Sequence, residues 1–180
     1  MSILPYILVP LALLVVLWVL LRVLFGAYMK YSGGAVVVCP ETQEAAGVEI
    51  DTTHAAWSSV SGIPGLRLKN CSRWPEGEGC GQDCVRQIQD TPQNCMVRHL
   101  LAAWYAGKAC VYCGHDLSHV DWTEHKPCVQ LPNGKTAEWA AVPYERVPAL
   151  LSSGRPVCWT CHITEGFRAA NPQLVIERKR

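Results

Sequence analysis

Two short cysteine pairs constrain this chain more than any other feature. Cys110-Val-Tyr-Cys113 and Cys158-Trp-Thr-Cys161 each hold two residues between their cysteines. At that spacing both sulfurs of a tight turn point at one ion, and two such turns supply four thiolates, a closed tetrahedral shell for zinc. The fold must then bring together two turns that residues 114–157 separate. The ion that joins them would stand in for part of a hydrophobic core.

Ten cysteines in 180 residues is heavy usage. In a secreted domain it signals disulfides; in a reducing compartment it signals metal or redox chemistry. The length suits one domain plus an appendage. A formal net charge of +1 leaves no basic footprint for nucleic acid.

The appendage is N-terminal. Ile3 to Leu21 carries no charge and is dominated by Leu and Val. At ~1.5 Å per residue the run covers about 28 Å, close to the hydrocarbon thickness of a bilayer. Pro5 and Pro10 fall early, where a helix tolerates them best, and Trp18 and Tyr28 suit interfacial anchors. No basic segment precedes the run, and it exceeds the usual length of a signal-peptide core, so a retained transmembrane helix is expected. Arg22 and Lys30 follow it and no basic side chain precedes it. The positive-inside rule then places the remainder in the cytoplasm. The expected organisation is a membrane anchor over 1–30 and a Cys-rich domain over 31–180, with sub-modules at 35–90 and 91–170. Expected partners are the lipid bilayer and other subunits of a membrane complex.

Beyond the anchor, Tyr31-Ser32-Gly33-Gly34 reads as a flexible linker. The β-branched run Ala35–Val38, the alternating Val48-Glu49-Ile50 and Leu66–Lys69 predict a three-stranded sheet within 35–70. A short helix is expected from Gly81, carrying Cys84, Val85 and Ile88. A longer helix is predicted over 92–106. Thr91 is its N-cap, Pro92 fits its first position, and Val97, Leu100, Leu101, Trp104 and Tyr105 form an apolar stripe. Gly107 is its stop. A strand at Pro156-Val157 should deliver Cys158. The fold class is α+β, one N-terminal transmembrane helix plus a small metal-stabilised domain.

With Gly114 after the first pair, Cys110, Cys113, Cys158 and Cys161 resemble the knuckles of a zinc ribbon, although a ribbon's pairs normally lie only ~15–20 residues apart. The resemblance covers the knuckles alone and implies a structural zinc. Cys158-Trp-Thr-Cys161-His162 also resembles the haem-attachment string of c-type cytochromes. That alternative implies haem on Cys158 and Cys161, His162 as axial ligand, and a domain on the periplasmic side. A distal ligand would come from Met96, His99, His115, His119 or His125. An iron–sulfur cluster is a third occupant for four thiolates.

Cys39, Cys71, Cys80 and Cys84 form a second candidate set, all at predicted element ends. Cys95 is expected in the core, and Cys128 has no evident partner. His115, His119 and His125, beside Asp116, Asp121 and Glu124, read as solvated loop residues. No Gly-rich phosphate loop, nucleophile elbow or activated catalytic cysteine is recognisable, so nothing in the sequence argues for catalysis.

Overall fold

The computed structural model describes residues 4–74, 79–118 and 128–174. The first helix, α1 (Leu4–Tyr31), is uninterrupted despite Pro10. Its Ile7–Tyr31 portion is long and apolar enough to span a membrane. Residues 7–23 are exposed throughout, whereas Leu24 and Ala27 are half-buried and Tyr31 is buried. That gradient divides the helix physically: an all-round apolar stretch needs a nonaqueous surrounding, and only its last turns pack on protein.

Three antiparallel strands follow, β1 (Gly34–Val38), β2 (Ala45–Ile50) and β3 (Leu68–Cys71), in that order across the sheet. This is the sheet expected from the sequence. Strand alternation puts Ala35 and Val37 into one core and Val36 into another. β1 is therefore shared by both. Between β2 and β3 lies a helix that periodicity had not announced, α2 (Thr52–Ser59). Its N-cap is Asp51, whose carboxylate accepts the His54 N–H at 2.9 Å and a two-pronged bond from Arg67 at 2.9 and 2.7 Å. α2 packs against α1 through the small, buried Ala55 and Ala56.

α3 (Val85–Asp90) carries Val85 and Ile88 inward, as expected, with Cys84 at its N-cap. The predicted 92–106 helix is two helices, α4 (Pro92–Cys95) and α5 (Val97–Tyr105). Met96 between them is extended, with φ −70° and ψ 122°. It is fully buried and bridges Ala35 of β1. Tertiary pairing with the sheet thus overrides local helical periodicity. Thr91 makes no side-chain cap; its hydroxyl donates to the Gln87 carbonyl at the end of α3.

A second antiparallel sheet has β4 (Cys128–Gln130) in the middle, flanked by β5 (Thr136–Glu138) and β6 (Arg155–Val157). Only β6 was anticipated. α6 (Val147–Ser153) precedes β6, and α7 (Trp159–Ala170) follows it. The second core joins α5, β4, Trp139 and Val147. At its heart Tyr105 is wholly buried; its hydroxyl donates to the Cys128 carbonyl and accepts the Trp139 indole N–H at 2.9 Å.

The junction after α1 is not the flexible linker that its Ser-Gly-Gly composition suggests. Tyr31, only 2% exposed, belongs to the first core. Arg98 donates to the Lys30 carbonyl at 2.7 Å and to the Ser32 hydroxyl at 3.2 Å. The Tyr144 ring lies so close over Gly34 that an added Cβ would stand 2.3 Å from it.

Candidate metal centre

The first pair sits on a narrow hairpin. Ala109 bridges Asp116, the Cys110 N–H donates to the His115 carbonyl at 2.8 Å, and the Gly114 N–H donates to the Cys110 carbonyl at 2.9 Å. Gly114 has φ +74°, a conformation glycine adopts without a Cβ penalty. The hairpin is tied to β6 by the Val111 N–H, which donates to the Pro156 carbonyl at 3.0 Å. β6 then carries the chain straight into Cys158.

The second pair is not a hairpin turn, which corrects the expectation of two such turns. Cys158 is the N-cap of α7 and Cys161 lies in its first turn. The Cys161 N–H donates to the Cys158 sulfur at 3.5 Å. The site thus joins a β-turn and a helix start.

All four sulfurs lie within 4.8 Å of one another, with Cys113 and Cys158 at 3.7 Å. Cys110 is buried, Cys158 and Cys161 are half-buried, and Cys113 is exposed. No disulfide joins any of the ten cysteines. Four sulfurs this close together fit one soft or borderline cation. Among the described residues no other group of His, Cys, Asp or Glu ligand atoms closes to this spacing.

Electrostatics distinguish the four. Burial disfavours ionising Cys110, yet N–H groups of Cys158, Cys113 and Tyr112 at its sulfur bring the thiol down to about 6. The Cys158 N–H approaches it at 3.3 Å. Burial raises Cys158, and burial together with the neighbouring sulfurs of Cys158, Cys113 and Cys110 raises Cys161. One sulfur is prepared to carry charge, and its neighbours resist adding more without a cation between them.

Behind the site, Cys128 is fully buried against Cys110 and Val157. Burial, with the charges of Glu138 and Cys158, pushes its thiol up to about 12. It is therefore a packing residue. Cys95 is likewise in the core.

His162 lies on α7, its Nδ1 2.8 Å from the Thr136 hydroxyl and its ring 5.7 Å from that of Trp159. Of the other haem-ligand candidates, Met96 is sealed in the first core. His119 and His125, with Asp121 and Glu124, lie outside the described residues.

The second cysteine set is also drawn together, though less tightly. Cys39, Cys71, Cys80 and Cys84 line one small cavity beside the first sheet. Burial, then the proximity of Cys80, Cys71 and Cys39, pushes the Cys84 thiol up to about 11. Backbone N–H groups of Thr42 and Glu41, and the Thr42 hydroxyl, pull the Cys39 thiol below its ordinary value.

Comparison with protein-family models, curated proteins and solved structures returns no match. The chain is a mixed helix-and-sheet protein with one apolar N-terminal helix and a four-cysteine cluster consistent with a zinc-ribbon-like module.

Proposed function

We propose that this chain is a membrane-anchored, Cys-rich protein with a structural zinc, acting as an interaction or assembly subunit of a larger membrane complex, a respiratory one being a candidate. The observation that carries the reading is the convergence of Cys110, Cys113, Cys158 and Cys161 to within 4.8 Å. Four protein ligands fill a tetrahedral shell and leave no open position for substrate, which favours a structural over a catalytic role. Zinc there would lock the hairpin to α7 and to β6.

Two further features support a docking role. Val111 and Tyr112 on the hairpin, and Ile163 and Phe167 one turn apart on α7, are exposed apolar side chains flanking the centre. The α1 surface calls for lipid, and Arg22 and Lys30 at its far end favour a cytoplasmic domain. A reducing compartment also suits ten cysteines of which none is in a disulfide.

The test uses the full chain purified in detergent. Elemental analysis should find zinc, the visible spectrum should show no Soret band, and Cys110→Ser or Cys161→Ser should release metal and lower the melting temperature. A C-terminal topology reporter should score cytoplasmic, and affinity purification from membranes should bring down integral subunits that the Cys161→Ser chain loses. Porphyrin bonded to Cys158 and Cys161 overturns the reading, as does unchanged thermal stability in both variants.

A further inference from the structure

We propose that Cys39, Cys71, Cys80 and Cys84 form a second, separate thiolate site for one divalent metal ion, stitching residues 79–84 to the first sheet. The inference goes beyond the centre described above and shares no ligand with it.

The four residues come from four different places in the fold. Cys39 follows the last residue of β1, and Cys71 ends β3. Cys80 lies in a segment without regular structure, and Cys84 immediately precedes α3. Nothing in hydrophobic periodicity requires these four positions to meet, yet all four line a single cavity of about 30 Å³, with Leu68, Trp74, Glu41 and Arg73 among the other walls. That volume is enough for one ion. Four sulfurs on one cavity are a complete ligand set for a metal.

The local backbone is arranged as it is around metal-bound thiolates. At Cys39 the chain folds back at once: the Cys39 N–H donates to the Glu44 carbonyl at 2.9 Å and the Gln43 N–H to the Cys39 carbonyl at 2.8 Å. This turn is what brings the Glu41 and Thr42 N–H groups onto the Cys39 sulfur. At Cys80 the Gln82 N–H donates to the sulfur at 3.4 Å. Gln43 and Gln82 are the two non-glycine residues with positive φ among the described residues, both at +58°. Each lies just past a cysteine of this set. Such left-handed positions cost about 1 kcal/mol or more for a residue with a Cβ, so the fold accepts strain at both turns. N–H groups that converge on sulfur stabilise the charged thiolate a metal needs.

These sulfurs are not drawn to the mutual 4.8 Å spacing of the first centre. Rotation of a cysteine between staggered χ1 positions moves its sulfur by ~3 Å, so side-chain motion can close such a set on an ion.

Cobalt(II) titration of reduced, metal-free full-length chain in detergent tests the proposal. The wild-type chain should develop the visible bands of tetrahedral thiolate cobalt up to two equivalents, and zinc should displace both. Cys71→Ser/Cys84→Ser should saturate at one equivalent, and Cys110→Ser/Cys113→Ser also at one. Should either double variant fail to fold, the wild-type count still decides: two equivalents support the proposal. A wild-type endpoint of one equivalent that Cys71→Ser/Cys84→Ser leaves at one overturns the second site and spares the first. A wild-type endpoint of one that Cys110→Ser/Cys113→Ser leaves at one spares the second and overturns the first. Two disulfides among these four cysteines, found by thiol counting in the protein as isolated from cells, overturn the second site as well.

Discussion

Replacing Tyr105 by Phe isolates one hydroxyl that ties the second core to β4, behind the four-cysteine cluster. The ring would stay, along with its edge-on packing against Trp104 at 4.9 Å and 81°. What leaves is the oxygen that accepts the Trp139 indole N–H at 2.9 Å and donates to the Cys128 carbonyl. Tyr105 and Trp139 are 0% and 4% exposed, so water cannot take its place. A buried N–H left without an acceptor costs about 1–3 kcal/mol, and the lost bond to the carbonyl about 1 kcal/mol more. The total, ~2–4 kcal/mol, is a large part of a typical domain's 5–15 kcal/mol. At ~2–4 °C per kcal/mol for a chain of this size, the melting temperature should fall by roughly 5–15 °C. Near-UV circular dichroism of the full chain in detergent, melted with zinc added, reads the change directly. Metal stoichiometry should not change, because β4 and its neighbour β6 retain their pairing. A melting temperature within about 2 °C of wild type would refute the view that this hydroxyl is essential to the core.

Gly154→Ala should destabilise by ~1–3 kcal/mol, because the new Cβ would meet Val129 at 2.5 Å and the Leu150 carbonyl at 2.6 Å; thermal melts measure it. Asp51→Asn should show a pH-dependent deficit. The His54 N–H, then the Arg67 guanidinium, hold the Asp51 carboxyl below its ordinary 3.8, so the folded state binds fewer protons than the unfolded one. The wild-type advantage should therefore be complete above that value and vanish as pH falls through the lowered folded one. A constant offset in melts from pH 7 to 2 would count against it. Arg98→Ala should lose its bonds to Lys30 and Ser32, costing ~1 kcal/mol and opening residues 31–34 to limited proteolysis; an unchanged cleavage pattern would refute that.

The first sheet was legible because its strands carry their own signal: a β-branched run at Ala35–Val38 and an alternating Leu66–Lys69. Of the second sheet only β6 showed, as the strand expected to deliver Cys158; β4 and β5 are three residues each, too short for any period to show. The break at Met96 was illegible for another reason. The apolar spacing through 92–106 is continuous, and only the bridge to Ala35, some sixty positions away, interrupts the helix. Ligand spacing anticipated which four cysteines meet, since a two-residue gap limits where two sulfurs point. It did not show that one pair opens a helix, because Thr160, Ile163, Thr164 and Gly166 argue locally against one. The meeting of Cys39 with Cys71, Cys80 and Cys84 left only a faint trace in the sequence, their places at element ends.

Tyr31 is the last residue of α1 and also part of the first core, so the apolar helix runs directly into the packed domain. A tethered domain on a loose leash samples every orientation; this one inherits a heading. If α1 crosses a membrane, the tilt and rotation it takes there pass through Tyr31 into the first core.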